Sequence, residues 1–172
     1  EREFLPALSE QPGIEYIDLY NFEKAFDPYL DDGDGPLLLV EVGASRIAVI
    51  EAALKTPKTS NSLRKIMEVL TPDCTITLDA FKVLRQALPG EDEAPLERLG
   101  PMSYVVRYYR PAKDETAFTE FYVSHHPPIL ATLPNVLNVL CFLPVPFNNP
   151  TAIQISNCML GNEVVFKNPA DF

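Results

Sequence analysis

The chain has 172 residues, 47% hydrophobic and 22% charged, so it is neither disordered nor a coiled coil and has room for one ordinary domain or two very small ones. At this length roughly 70% of the unfolded surface can be buried, so a core needs neither disulfide nor metal. Lys and Arg number 14 against 24 Asp and Glu, and the net charge of −10 argues against nucleic-acid and anionic-membrane partners, which need a basic face.

Cys74, Cys141 and Cys158 are odd in number and widely spaced. That suits buried thiols in a reducing compartment better than a disulfide framework or a zinc site. No apolar run approaches the roughly 18 residues of a membrane span and no leader pattern opens the chain, so a cytoplasmic protein is expected. The 17 prolines are scattered as punctuation and form no proline-rich linker.

Ile14–Phe22 alternates as a strand does. The acidic stretch Asp31–Pro36 reads as a solvated turn; a calcium loop is the sharper alternative, but Val42 stands where the closing glutamate would be needed. Leu37–Val42 is a second, doubly buried strand. Ser45–Leu54 has helical spacing with Ser45 as its cap, and a short helical piece is expected at 63–70 within the polar stretch 57–72. Thr75–Leu84 alternates as a third strand. Gly90–Pro95 is charged and turn-rich, the best linker candidate.

A second unit opens with the strand Met102–Arg110. Asp114 can cap the following helix, expected over 115–126, in which Phe118, Phe121, Tyr122 and His125 share one face. Asn135–Val145 is a strand, Ala152–Phe166 holds one or two more, and Asn168–Phe172 looks like a helix beginning.

Shifting the sequence by 122 residues lays Phe4–Ile14 on His126–Val136, with Pro6 on Pro128 and Pro12 on Pro134. At a shift near 125, Leu39–Val42 lies on Val164–Phe166. Two copies are expected, 1–88 lacking its first strand and 101–172 lacking its last helix and strand. On that reading roughly 20 residues are missing before Glu1 and roughly 35 after Phe172. Each complete unit would run β-α-β-β-α-β, the ferredoxin-like order, within an α+β protein.

The series Phe118, Phe121-Tyr122, His126, Pro128-Ile129 and Pro134 resembles the ethyl tert-butyl ether degradation (EthD) domain of the dimeric α+β barrel superfamily. The match is good over 102–172 and weak over 1–84. A two-copy chain resembles the tandem form, in which one polypeptide supplies both halves of the barrel. The resemblance implies cofactor-free small-molecule chemistry on polyketide or aromatic compounds, a lyase or isomerase step such as dehydration, cyclisation or decarboxylation. Pro127 departs from the small residue usual at that place and biases His126 away from the α region. Phe4 replaces His126 in the first copy.

The two histidines are adjacent. An ordinary imidazole titrates near about 6.5, which suits proton transfer at neutral pH. His126 is the candidate general acid or base with Tyr122 beside it; the alternative is a helix end whose imidazoles meet local carbonyls or solvent. Neighbouring histidines diverge and no third ligand stands at a telling spacing, so no metal is expected. No phosphate loop or dinucleotide fingerprint appears, and the resemblance implies cofactor-free chemistry, so no cofactor is expected. On the strand before the helix, Tyr104 and Tyr108 share one face, and Arg107 shares the other with Tyr109. With Asn157, Tyr104, Arg107 and Tyr108 are candidate ligand contacts, weighed against plain core packing; Cys141 and Cys158 could line the same space. The candidate functions are thus an enzyme acting through His126 and a carrier of an apolar ligand, with a homodimer left open.

Overall fold

The computed structural model describes residues 3–23, 35–90 and 100–168. Among them the chain is a mixed α+β protein with two antiparallel sheets and four helices. Two compact units form, one of Glu1–Ile76 with Phe147–Ala152, the other of Thr77–Pro146 with Ile153–Phe172. The boundary falls before residue 88 because the strand near 81 joins the second sheet. The acidic turn at 31–34, the linker at 91–95 and the helix start at 169–172 lie outside the described residues.

In the first unit, α1 (Phe4–Ser9) turns into β1 (Ile14–Asn21), which pairs antiparallel with β2 (Leu38–Ala44). These strands answer to the expected 14–22 and 37–42 in position, but β2 is not buried on both faces: it belongs to a two-stranded sheet, and Leu37 and Leu38 are 88% and 37% exposed. Tyr16 pairs with Gly43, and a Cβ at 43 would overlap the Tyr16 ring, so the glycine seats the aromatic. α2 (Ile47–Lys55) is not capped by Ser45: Arg46 is the N-cap, extended and without a side-chain bond. α3 (Pro57–Val69) is longer than the expected piece at 63–70. Thr56 accepts from the Thr59 N–H and Pro57 fills the first turn, which starts a helix despite its polar composition. Ala7, Leu8, Ala53, Leu54 and Leu63 are buried, and exposed ion pairs of Lys58 with Glu10 and Lys65 with Glu3 link α3 to α1.

The second unit contains β3 (Phe81–Arg85), β4 (Met102–Tyr109), α4 (Glu115–Leu130), β5 (Val136–Pro144) and β6 (Cys158–Phe166), with sheet order β3-β5-β6-β4 and every pair antiparallel. The strand expected over 75–84 is shorter and shifted. Residues 75–80 alternate in type but make only a bridge, Thr77 to Gln154, with the Leu78 N–H donating to Gln154 O at 3.0 Å.

α4 runs four residues past the expected 126, through Pro127 and Pro128. His126 stays helical because Pro127 is buried and Leu130 and Ala131 pack with Val139, Val164 and Phe166, which offsets the lost backbone bonds. Tyr104, Tyr108, Val139, Cys141, Leu160 and Val164 form the sheet face under α4. By alternation Arg85, Arg107, Asn138 and Glu163 occupy the other face.

The two hairpins share one register. Gly13 and Asn135 both have positive φ, 85° and 57°, directly before a strand. Ile14 pairs with Ala44 and Val136 with Phe166, and each ladder is interrupted after that first pair. Gln11 N–H donates to Leu8 O and Leu133 N–H to Leu130 O. All these positions correspond at the offset of 122. The 125-residue shift is therefore corrected: Glu41-Val42 corresponds to Glu163-Val164, and Ala44 to Phe166. No described helix is long and apolar enough to cross a membrane.

Candidate functional site

α4 is held firmly at its start. Asp114 accepts the Ala117 N–H at 3.0 Å. The Arg110 guanidinium bonds Glu115 through Nε (2.9 Å) and Nη2 (2.6 Å), and through Nη1 donates to Cys158 O (2.7 Å). The helix is thereby tied to the end of β4 and the start of β6.

From that anchor the aromatic side chains stack inward. Phe118 and Tyr122 meet Tyr108 at 5.5 and 5.1 Å between ring centroids, the second edge-on. The Tyr122 hydroxyl donates to Asn162 Oδ1 at 2.6 Å in the core. Burial, then the neighbouring Tyr108, push the Tyr122 phenol well above its ordinary range. Its oxygen is thus a structural anchor, and Tyr122 offers a ligand its ring.

One turn on, His126 lies 4.6 Å from the Tyr122 ring, and His125 stacks on Phe121 at 4.3 Å. Four-residue spacing on a helix produces both pairs. His125 Nδ1 is 2.9 Å from Phe121 O and 2.8 Å from Ser124 Oγ. Since a carbonyl only accepts, His125 carries its proton on Nδ1 when it bonds Phe121 O. The two histidines and the two rings they meet, with Tyr108, Phe118 and Ile129, line an open groove of about 340 Å³ with almost wholly apolar walls. Phe121 and Ile129 are 65% and 61% exposed at its rim.

The face expected to hold Phe118, Phe121, Tyr122 and His125 together is split. Phe118 and Tyr122 pack on the sheet, whereas Phe121 and His125 face outward, because the Tyr108 ring and Asn162 select the Tyr122 side. Of β4, β5 and β6, only β4 reaches the groove, through Tyr108.

Tyr108, Tyr122 and His126 are therefore brought together, and the other sequence candidates are not. Tyr104 packs with Val164 and Phe166. Arg107 lies on the opposite sheet face. Asn157 Nδ2 donates to Arg110 O at 3.1 Å, a bond that holds the strand ends. Cys141 lies in the core under Tyr122, where burial pushes its thiol up to about 11; burial raises Cys158 too, and its Sγ donates to Leu160 O at 3.3 Å.

Asn162, the partner of Tyr122, went unmarked by sequence reasoning. Its signal is a polar pair, Asn162-Glu163, inside an otherwise apolar strand, since polar groups fully buried on central strands need partners. Among the described residues no cluster of three His, Cys, Asp or Glu could hold a metal. Comparison with protein-family models, curated proteins and solved structures gives no match.

Proposed function

We propose that the chain is an EthD-like protein that takes an aromatic or polyketide-type small molecule into the α4 groove and moves a proton on it through His126. The step would be a cofactor-free dehydration, cyclisation or decarboxylation. The observation that carries this reading is His126 over the Tyr122 ring at 4.6 Å, in a groove whose other walls are almost wholly apolar. Imidazole is the side chain whose ordinary titration lies near neutrality, and flat apolar walls suit a ring-bearing ligand. The connectivity supports the same family. β4 and β5 are each antiparallel to β6, hence parallel to each other with α4 joining them, an arrangement in keeping with the split β-α-β expected of a ferredoxin-like unit. The 122-residue offset shared by the hairpins supports its tandem form.

The second reading is a carrier, and the exposure of Phe121 and Ile129 favours it. An open rim lets an apolar ligand exchange but leaves water on a reacting one. Mass spectrometry of small molecules retained by the purified chain tests both. A retained aromatic compound that the chain converts, and His126→Ala does not, supports the enzyme. A compound held equally by both and converted by neither supports the carrier. Retention of no small molecule by either protein sinks both.

A further inference from the structure

A strand at the edge of a sheet turns a row of N–H and C=O groups outward, a template for a further strand, and natural edges are guarded by shortness, lysine, proline or a bulge. β2 has little of this protection. Among the described residues it pairs with β1 alone. It runs seven residues, Leu38–Ala44, without lysine or proline and with Glu41 as its one charge. The ladder is irregular only opposite its last two residues.

The second sheet shows what such an edge can carry. The two hairpins correspond at the offset of 122, so β2 answers to β6. β6 holds β5 on one side, as β2 holds β1, and on its other side it holds β4. The open edge of β2 is thus the counterpart of the edge that β4 fills. Subtracting 122 from the β6 residues of that ladder gives a register. A strand patterned on β4 sets its Tyr104 position opposite Val42, its Val106 position opposite Val40 and its Tyr108 position opposite Leu38, apolar against apolar on one face. On the other face the Val105 position meets Glu41, and the Arg107 position meets Leu39, diagonal to Glu41.

We propose that the open edge of β2 takes an extended segment of a partner polypeptide as a third, antiparallel strand, apolar at alternate residues and bearing an Arg or Lys diagonal to Glu41. Main-chain hydrogen bonds supply the affinity, and the side chains at alternate positions supply the choice of partner. A second copy pairing the same edge across a two-fold axis fits less well. In a register centred on residues 40 to 42 it sets Glu41 opposite or diagonal to its own counterpart, and each chain carries a net charge of −10. A basic segment of another protein meets neither repulsion. The edge belongs to the first unit and the α4 groove to the second, so each stands without the other.

The probe is the β4 sequence itself, residues 101–110 as a peptide with blocked ends, because that segment already fills the matching edge of β6. Titrated into the full chain, it should bind saturably and slow amide exchange at alternate residues of 38–44 by about tenfold or more, read by nuclear magnetic resonance, with exchange across β6 unchanged. Successive N–H groups of a paired strand point to opposite sides. N-methylation of the peptide at alternate residues of one parity should therefore abolish binding, and methylation at the other parity should not. Replacing the peptide's arginine at the 107 position by glutamine should weaken binding about two- to fivefold in the unmodified chain and change nothing in Glu41→Gln. No saturable binding, equal effects of the two methylation patterns, or protection that falls on β6 and not β2 would overturn the proposal. So would amides of 38–44 that are all protected before peptide is added; a dimer in sedimentation would then assign the edge to a second copy, and a monomer to a segment of the chain itself. The methylation test alters only the peptide, so its outcome stands whether or not a variant folds.

Discussion

The Tyr122 hydroxyl and Asn162 Oδ1, 2.6 Å apart, join α4 to a central strand of the second sheet. Tyr122→Phe keeps the ring and removes the donor, leaving a buried acceptor unmet. A loss of about 1–3 kcal/mol is expected in urea unfolding. Adding Asn162→Leu to that variant should restore part of it. No loss at all would mean that the bond is not made in solution.

His126→Ala tests the imidazole directly. If the groove moves a proton through it, turnover of a converted ligand should fall about 10²–10⁴-fold with the fold unchanged by circular dichroism. His125→Ala removes an outward ring stacked on Phe121 and should change turnover far less. Similar losses from both variants would assign the effect to the end of the helix as a whole.

Stability should decline in alkali. Burial raises the Cys141 thiol from its ordinary 9.0 to about 11, and burial raises Cys158 and Tyr122 in the same direction. A raised acid keeps its proton in the fold while the unfolded chain loses it. Its contribution is therefore whole below the unfolded value and is lost as pH climbs through the folded one. For Cys141 the window is pH 9 to 11, and the loss is on the order of 2–3 kcal/mol. Urea midpoints from neutral pH upward should be flat below that window and fall within it. Cys141→Ala should flatten part of the fall.

Asp114→Ala removes the cap of α4 and should cost about 0.5–2 kcal/mol, read as a lower Tm. Asp114→Ser, which can still accept from Ala117, should recover most of it. Equal Tm values for the Ala and Ser variants would exclude capping as the cause.

Gly43→Ala pushes a methyl group into the Tyr16 ring. Overpacking of about 1–3 kcal/mol is expected in thermal unfolding. Gly90→Ala meets no neighbouring atom, so its cost should come only from the left-handed backbone there, φ 82°. A Gly43→Ala chain as stable as the original would show that the ring does not lie over that strand.

Alternation is the strongest signal in this chain, and it serves where a partner strand is at hand, as β2 is for Ile14–Asn21 and β6 for Met102–Tyr109. It misleads at 75–80, because a pattern of side chains says nothing about whether a partner strand is present. The start of α4 is legible in Asp114. Its end is not, because the local bias of two prolines points one way and the packing of Leu130 and Ala131 the other. In the site, i and i+4 spacing yields the Tyr122–His126 and Phe121–His125 pairs. Which pair faces the sheet depends on Tyr108 and Asn162, brought in from other strands. Asn157 escapes for a similar reason: its partner, the Arg110 carbonyl, lies 47 residues away.

Proline has no N–H, so with prolines at 127 and 128 the carbonyls of Val123 and Ser124 have no amide donor four residues ahead. The groove is therefore mechanically lopsided. Its Asp114 end is stiff, fastened by a cap and a forked guanidinium. Its imidazole end is compliant, because the turn bearing His125 and His126 keeps its pitch through the burial of Pro127 and the rings beneath it. A ligand wedged against Ile129 would strain side-chain packing before it strained backbone bonds, so the groove should yield first where its histidines stand.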